Sequence, residues 1–520
     1  DSLTAALFNP HLSQCFPHTA GVIIPALDCR HVAGIGHPVI EHGVDDFLVV
    51  LGGLEAALNH GLQRLVVLKH DGQKVLEMLV VAHLVKTRVF RERHLARLCR
   101  QHPLRRVPLA FQAAAVGTIE HNPVVAEILA HTLGLPHNWG SSDAVPVDSL
   151  RSPEYTSEHG TAPSIMDYAR FNYIAQPGDG VTNFLPKIGT YDEWSVQWGY
   201  QWMPDAEGAE QEAERLDDMI RERAGDPEYF YGRQTLDPVD PRSQREDLGR
   251  DAAKAGSLGV ENLKRIVPNL VEWTRQDGDN YDELEEIYGS VVGQWELYLG
   301  HAARHIGGVH ETFKTYDQEG PVYDPVPADQ QRRAMQFVLE QGFQSPEWLV
   351  EADVLRRIEA SGALNRVRET QVGALELVLQ PERLARLIEI EAMDPDAETY
   401  APADMLADLR EGVWAELDDG EAVGPYRRNL QRGYLERMDH LMTAEVASNV
   451  PDYFEDYAVL TPVDVSQSDI RAHVRGELNT LQGEVEQALR RTTDETTEMH
   501  LEDVSARIEN ILEGDDSADA

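Results

Sequence analysis

The sequence predicts an α+β protein, with a mixed region at 111–205 followed by a mainly α-helical region with an acidic tail at 206–520. Two observations carry this division. From about residue 205, apolar residues recur at helical spacing between breaks marked by proline and glycine. Near residue 130 the composition changes abruptly. Residues 1–130 hold 12 Lys/Arg against 11 Asp/Glu, with 11 of the 20 His and all three Cys, whereas residues 131–520 hold 34 against 78, a net of −44. The segment 1–110 lacks clear capping and turn logic. It reads either as a divergent domain or as the product of a shifted reading frame or faulty join.

The elements follow in order. Lys86–Arg106 is basic, and a solvated helix face explains it more simply than contact with phosphate. Ala209–Arg223 reads as a charged helix, and Asp226–Gln244, dense in Pro and Asp, as a loop. Leu263, Ile266 and Leu270, then Leu284, Ile287, Val291, Trp295 and Tyr298, keep helical spacing. Gly320–Pro327 reads as an extended connector, because a residue before proline is kept out of the helical region. Two or three helices are expected between Asp329 and Arg386. Ile470, Val474, Leu478, Leu481, Val485 and Leu489 fall on one helical face, and Gly514–Ala520 is the tail. No internal repeat is visible.

Composition excludes several functions. A net charge of −43 argues against general affinity for nucleic acid or anionic lipid, since phosphate binding needs concentrated Lys and Arg. It suits solubility in strong salt. With 42% hydrophobic residues the chain can bury cores, yet no apolar run approaches the roughly 18–20 residues of a membrane span. Cys15, Cys29 and Cys99 form neither a disulfide framework nor a CxxC pair. The opening Asp1-Ser2-Leu3, without Met or a basic-then-apolar leader, reads as a processed product or a fragment.

Ala130–Gly140, AHTLGLPHNWG, carries the sharpest chemistry. If 123–133 is a helix, His131 projects from its last turn, and Gly134 at positive φ brings His137 back toward the same point. A catalytic zinc needs about three protein ligands and one open position. HxxGxxH is the second half of the metzincin signature HExxHxxGxxH. Downstream, Ser164-Ile165-Met166-Asp167-Tyr168 has the form of a Met-turn, with Met166 as a polarizable, apolar floor. The plain alternative is a helix-ending turn whose imidazoles bond to neighbouring backbone.

From about His131 to Leu512 the chain resembles the bacterial zinc-dependent metalloproteases of metzincin-like type, large exported proteins. HTLGLPHNWGSS (131–142), SIMDYARFNYIAQPGD (164–179), PKIGTYDEWSVQWGY (186–200), YLGHAARHIGGVHE (298–311), GPVYDPVPADQQRRAMQFV (320–338) and GPYRRNLQRGYLERM (424–438) carry the likeness. The resemblance implies a zincin-like α+β catalytic region with its upper sheet before the active-site helix. It also implies a Zn2+ cofactor, hydrolysis of peptide or protein substrates, and a periplasmic, outer-membrane-associated or extracellular location.

The family pattern places His at 127 and Glu at 128, where this chain has Glu127 and Ile128. Ile128 has no group to take a proton, so the general base is missing there. Glu127, one helical turn before His131, shares its face and could complete a Glu/His/His ligand set or act as a displaced catalytic carboxylate. Alternatively, Ala126-Glu127 is a slipped remnant of His-Glu. The expectations are therefore zinc ligands Glu127, His131 and His137 over Met166, with peptidase activity weak or lost; an inactive relative that binds peptides or a partner is the alternative. Two further groups receive plainer readings. His301, His305 and His310 are taken as structural or substrate-facing, and Arg427, Arg428 and Arg432 as paired with local carboxylates. Tyr168, Phe171, Tyr173, Trp194, Trp198, Tyr200 and Trp202 are expected to be core, with one or two lining a cleft.

Overall fold

The computed structural model describes residues 123–235, 238–395, 398–443 and 463–518. The 1–110 segment, Lys86–Arg106 and the sheet expected before the active-site helix lie outside them.

The first described part is built from short helices and tight turns. Helix α1 is Pro123–Thr132, α2 Pro153–His159, α3 Thr190–Tyr200 and α4 Ala209–Arg221. Ser152 caps α2, its hydroxyl oxygen accepting the Tyr155 N–H at 3.2 Å, and Pro153 sits at the first helical position, where a missing N–H costs nothing. Single 3-10 turns occupy Ser141–Ala144, Ser149–Arg151 and Ile165–Asp167. Among the described residues the β component is a two-stranded ribbon that lies after 205. Strands β1 (Val309–Glu311) and β2 (Tyr323–Pro325) pair antiparallel with His310 opposite Asp324. The proline-set Gly320–Pro327 segment is thus extended as expected, and it also finds a partner.

The larger part is helical. Helix α5 is Ala252–Ile266, and α6 is Asp282–Ala303. Asp251 caps α5, its carboxylate accepting the Lys254 N–H at 3.0 Å. After the ribbon come α7 (Ala328–Phe337), α8 (Ala352–Ile358), α9 (Ala363–Val378) and α10 (Pro381–Met393), one helix more than the sequence suggested. The extra break comes at Pro381, which cannot continue α9 but begins α10 without loss. Helices α11 (Pro402–Val413), α12 (Pro425–Thr443), α13 (Asp469–Leu489) and α14 (Glu495–Ala518) complete the body.

One large apolar core joins these helices. It contains Leu263, Leu270, Leu284, Val291, Trp295 and Tyr298, and from α13 Ile470, Val474, Leu478, Leu481 and Val485. The helical spacing in the sequence therefore marks the buried faces. Arg427, almost wholly buried, is paired with Glu416 at 2.5 Å and bonded to the Val413 carbonyl at 2.8 Å, so its charge serves the core. No helix among the described residues is long and apolar enough to cross a membrane.

Candidate metal centre

The site begins where α1 ends. Ala126 and Ala130 face inward and form a small apolar cluster with Leu135, Ile165 and Met166. Glu127 and His131, one turn apart, share the next strip of the helix. Gly134 takes φ +86°, a conformation open to glycine. Its N–H bonds to the His131 carbonyl at 2.9 Å, and the Leu135 N–H bonds to the Ala130 carbonyl at 3.2 Å. This is a Schellman cap: the helix stops and the chain turns back over its own last turn.

The turn brings His137 to His131. Their ring centroids lie 4.6 Å apart at 84°. Glu127, His131 and His137 each present one donor atom within 4.8 Å of the others, and all three residues are half-buried. Among the described residues they form the one such group. His131 Nδ1 is 3.1 Å from the Leu135 carbonyl; an N–H donated there leaves the Nε2 lone pair available. Burial, and then His131, depress His137 to about 4, while the Met166 carbonyl acts the other way, so this imidazole is neutral at neutral pH. His137 Nδ1 is buried without a hydrogen-bond partner.

The turn beneath is fixed from both ends. Met166 is fully buried, and its carbonyl accepts the Asn138 N–H at 2.9 Å. The Ser164 hydroxyl donates to Asp192 at 2.6 Å and accepts the Met166 N–H at 3.0 Å. Asp192 also accepts the Ile165 N–H at 2.8 Å and the Gly189 N–H at 2.9 Å, joining the turn to the start of α3. Asp167 accepts the Ser142 N–H at 2.6 Å, and the Ser142 hydroxyl donates to Asp247 at 3.3 Å. Burial raises both carboxyls well above the usual range; Asp192 raises Asp167 further, and Asp167 raises Asp247. Tyr168 adopts φ +64°, and its ring meets His137 edge-on at 4.4 Å.

A family model described as Met-zincin matches residues 124–421, more than half of the chain. The chain belongs to the Met-zincin family. Membership implies zinc metallopeptidase chemistry, and the matched stretch opens on the helix that carries Glu127. No curated protein and no solved structure matches the chain.

Glu127, His131 and His137 come together at the end of α1, and Met166 lies in the apolar cluster with Ala126 and Ala130 of the same helix. His301 is elsewhere, buried, with Nε2 at 2.9 Å from the Arg245 carbonyl, and burial depresses it to about 3. The aromatic expectation needs correction. Tyr173 is core, but Phe171, Tyr200 and Trp202 are 47, 61 and 81% exposed. Among the described residues none covers the end of α3 or the residues after it, and Phe171 lies on the surface as well; the Tyr200 hydroxyl donates to the Leu133 carbonyl at 2.8 Å. Sequence reasoning missed Asn138 and Asp192. A signal existed for Asp192, three residues after Gly189 at a helix start. None existed for Asn138, whose partners lie 92 and 94 residues away.

Proposed function

We propose that this Met-zincin binds zinc through Glu127, His131 and His137, and that it hydrolyses peptide bonds weakly or not at all. The observation that carries the reading is the convergence of one carboxylate and two imidazoles on a single point at the end of α1. The donor chemistry fits the ion. His131 spends Nδ1 on a carbonyl and keeps Nε2, His137 is neutral, and a carboxylate supplies charge. With zinc bonds of about 2.0–2.2 Å, closing these donors on an ion needs side-chain shifts of roughly an ångström.

Zinc held there supplies a Lewis acid for a scissile carbonyl and for water. The chain's own residues set the rest. Glu127, if engaged as a ligand, is not free to take a proton, and Ile128 offers no titratable atom. Met166, fully buried, gives the site an apolar base, and Tyr168 braces the outer imidazole. The site would therefore hold a peptide near the ion with little means of activating water. A protein or peptide ligand and an exported location follow the resemblance and belong to this proposal.

The test is metal content and affinity. Purified full-length protein should carry close to one zinc per chain, released by chelator, and His131→Ala should abolish it. A wild-type protein that takes up no zinc at neutral pH would sink the reading. The shifted-frame reading of residues 1–130 is tested separately, by coding DNA around codons 100–130: a His-Glu pair in another frame just before His131 would support it.

A further inference from the structure

We propose that Asn138 is a positioning residue for His137, and that the Phe230–Gly232 segment it grips is the outer support of the metal centre. This rests on the zinc reading above. Asn138 is completely buried, immediately after His137. Its amide nitrogen donates to the Phe230 carbonyl at 2.9 Å, and its amide oxygen accepts the Gly232 N–H at 2.8 Å and, at longer range, the Gly140 N–H at 3.4 Å. Its own N–H goes to Met166, and the next N–H, of Trp139, goes to the Gly232 carbonyl at 2.9 Å. One side chain therefore ties the histidine loop to a distant segment, while its backbone ties that loop to the turn below.

The two imidazoles are held differently. His131 is oriented by its own bond to Leu135, whereas His137 Nδ1 has no hydrogen-bond partner. His137 takes its place from what surrounds it, the Met166 carbonyl, the Tyr168 ring and the anchored Asn138. An amide is the side chain this junction requires. It offers a donor and an acceptor at the same reach; an aspartate would present only acceptors, one of them to the Phe230 carbonyl. The junction is also too close for side chains on the facing glycines. A Cβ on Gly140 would lie 2.4 Å from the Phe230 ring, and one on Gly232 would lie 2.7 Å from Gly140. The support is itself braced: Arg242 lies over the Phe230 ring at 4.3 Å, the Ser243 hydroxyl donates to the Arg233 carbonyl at 2.9 Å, and Arg233 pairs with Glu311 of β1 at 2.8 Å.

The test compares wild type, Asn138→Ala, Asn138→Asp and Gly232→Ala as full chains. Zinc affinity is measured by competition with a chromogenic chelator, ligand geometry by the visible absorption of the cobalt(II)-loaded protein, and folding by the melting of the metal-free protein. Asn138→Ala should weaken zinc about 10–100-fold and change the cobalt spectrum, as loss of an orienting partner does. Asn138→Asp, which sets a buried carboxylate against the Phe230 carbonyl, should lose at least as much. Gly232→Ala, which pushes the support away with Asn138 intact, should reproduce the spectral change, and it decides the matter if Asn138→Ala does not fold. Variants that melt like wild type, bind zinc within twofold of it and keep its cobalt spectrum would overturn the positioning role while leaving the zinc reading intact. A wild type that binds neither metal overturns both.

Discussion

The metal-site part, 123–250, and the helical body, 252–518, are stabilised by different means. Among the described residues the first buries fourteen polar or charged side chains between Asn138 and Asp247, and the much longer second buries eleven. The metal loop has an apolar cluster of only five buried residues, whereas the body shares one large core that also takes in Val145, Leu150, Ile174 and Leu248. Apolar burial is non-directional and tolerates exchange of similar side chains. Bonds such as Ser164–Asp192 or Asn138–Gly232 depend on one atom in one place. Divergence should therefore be cheap in the body and costly around the site.

The largest effect expected sharpens that contrast. Glu127→His with Ile128→Glu should raise chelator-sensitive cleavage of a quenched fluorogenic peptide by about 10²–10⁴-fold, the usual worth of a general base. Unchanged activity would mean that the directional framework around the site is unsound, and not only its two altered positions. Next comes the body. Trp295 is wholly buried and donates its indole N–H to the Gln341 carbonyl at 2.9 Å. Trp295→Ala should cost about 3–5 kcal/mol in urea unfolding. Zinc affinity of the folded protein should not move; if it falls in step with stability, the two parts are one energetic unit.

Acid should separate α6 and α14 from the 141–148 turn by sign, whereas His137, depressed like the histidines of the body, moves with them. His301 and His500 are buried, and burial depresses them to about 3 and about 4. The unfolded chain takes up these protons near pH 6.5, so stability falls as pH drops below 6.5 and levels off below those folded values. At pH 5 the loss is about 2 kcal/mol for each. Asp143, in the metal-site part, is raised by burial to about 6. Its folded form binds the proton first, so stability there rises as pH falls from 6 toward 3.8. Segment-resolved hydrogen exchange at pH 7 and pH 5, corrected for intrinsic rates, should show α6 and α14 loosening while 141–148 does not. Equal loosening of both would break the comparison. The smallest effect belongs to the rim: Tyr200→Phe removes one bond to Leu133 and should cost about 0.5–1.5 kcal/mol, seen as faster exchange at 133–135 alone.

The same contrast explains what was legible in the sequence. The faces of α6 and α13 follow from spacing, because periodicity records burial along a helix. The helix, cap and return of His131–Gly134–His137 are also readable, since all the residues involved are neighbours. The supports are not. Asp192 is 28 residues from Ser164, Asp247 is 105 from Ser142, and Asn138 grips a segment more than 90 residues on. Nothing periodic announces such partners. The exposed Trp202 and Tyr200 misled for the complementary reason, since aromatic composition says nothing about what lies over a surface.

The separation of donors from support sets an order in time. Glu127, His131 and His137 leave the ribosome almost together, within eleven residues of one another. Gly232 follows His137 by 95 residues, about 5–20 s later at ordinary rates of synthesis. In that interval the nascent chain already carries three donors, but on a loop with nothing yet to brace it. An ion met early would be held only provisionally, and the finished grip would await the arrival of Phe230–Gly232.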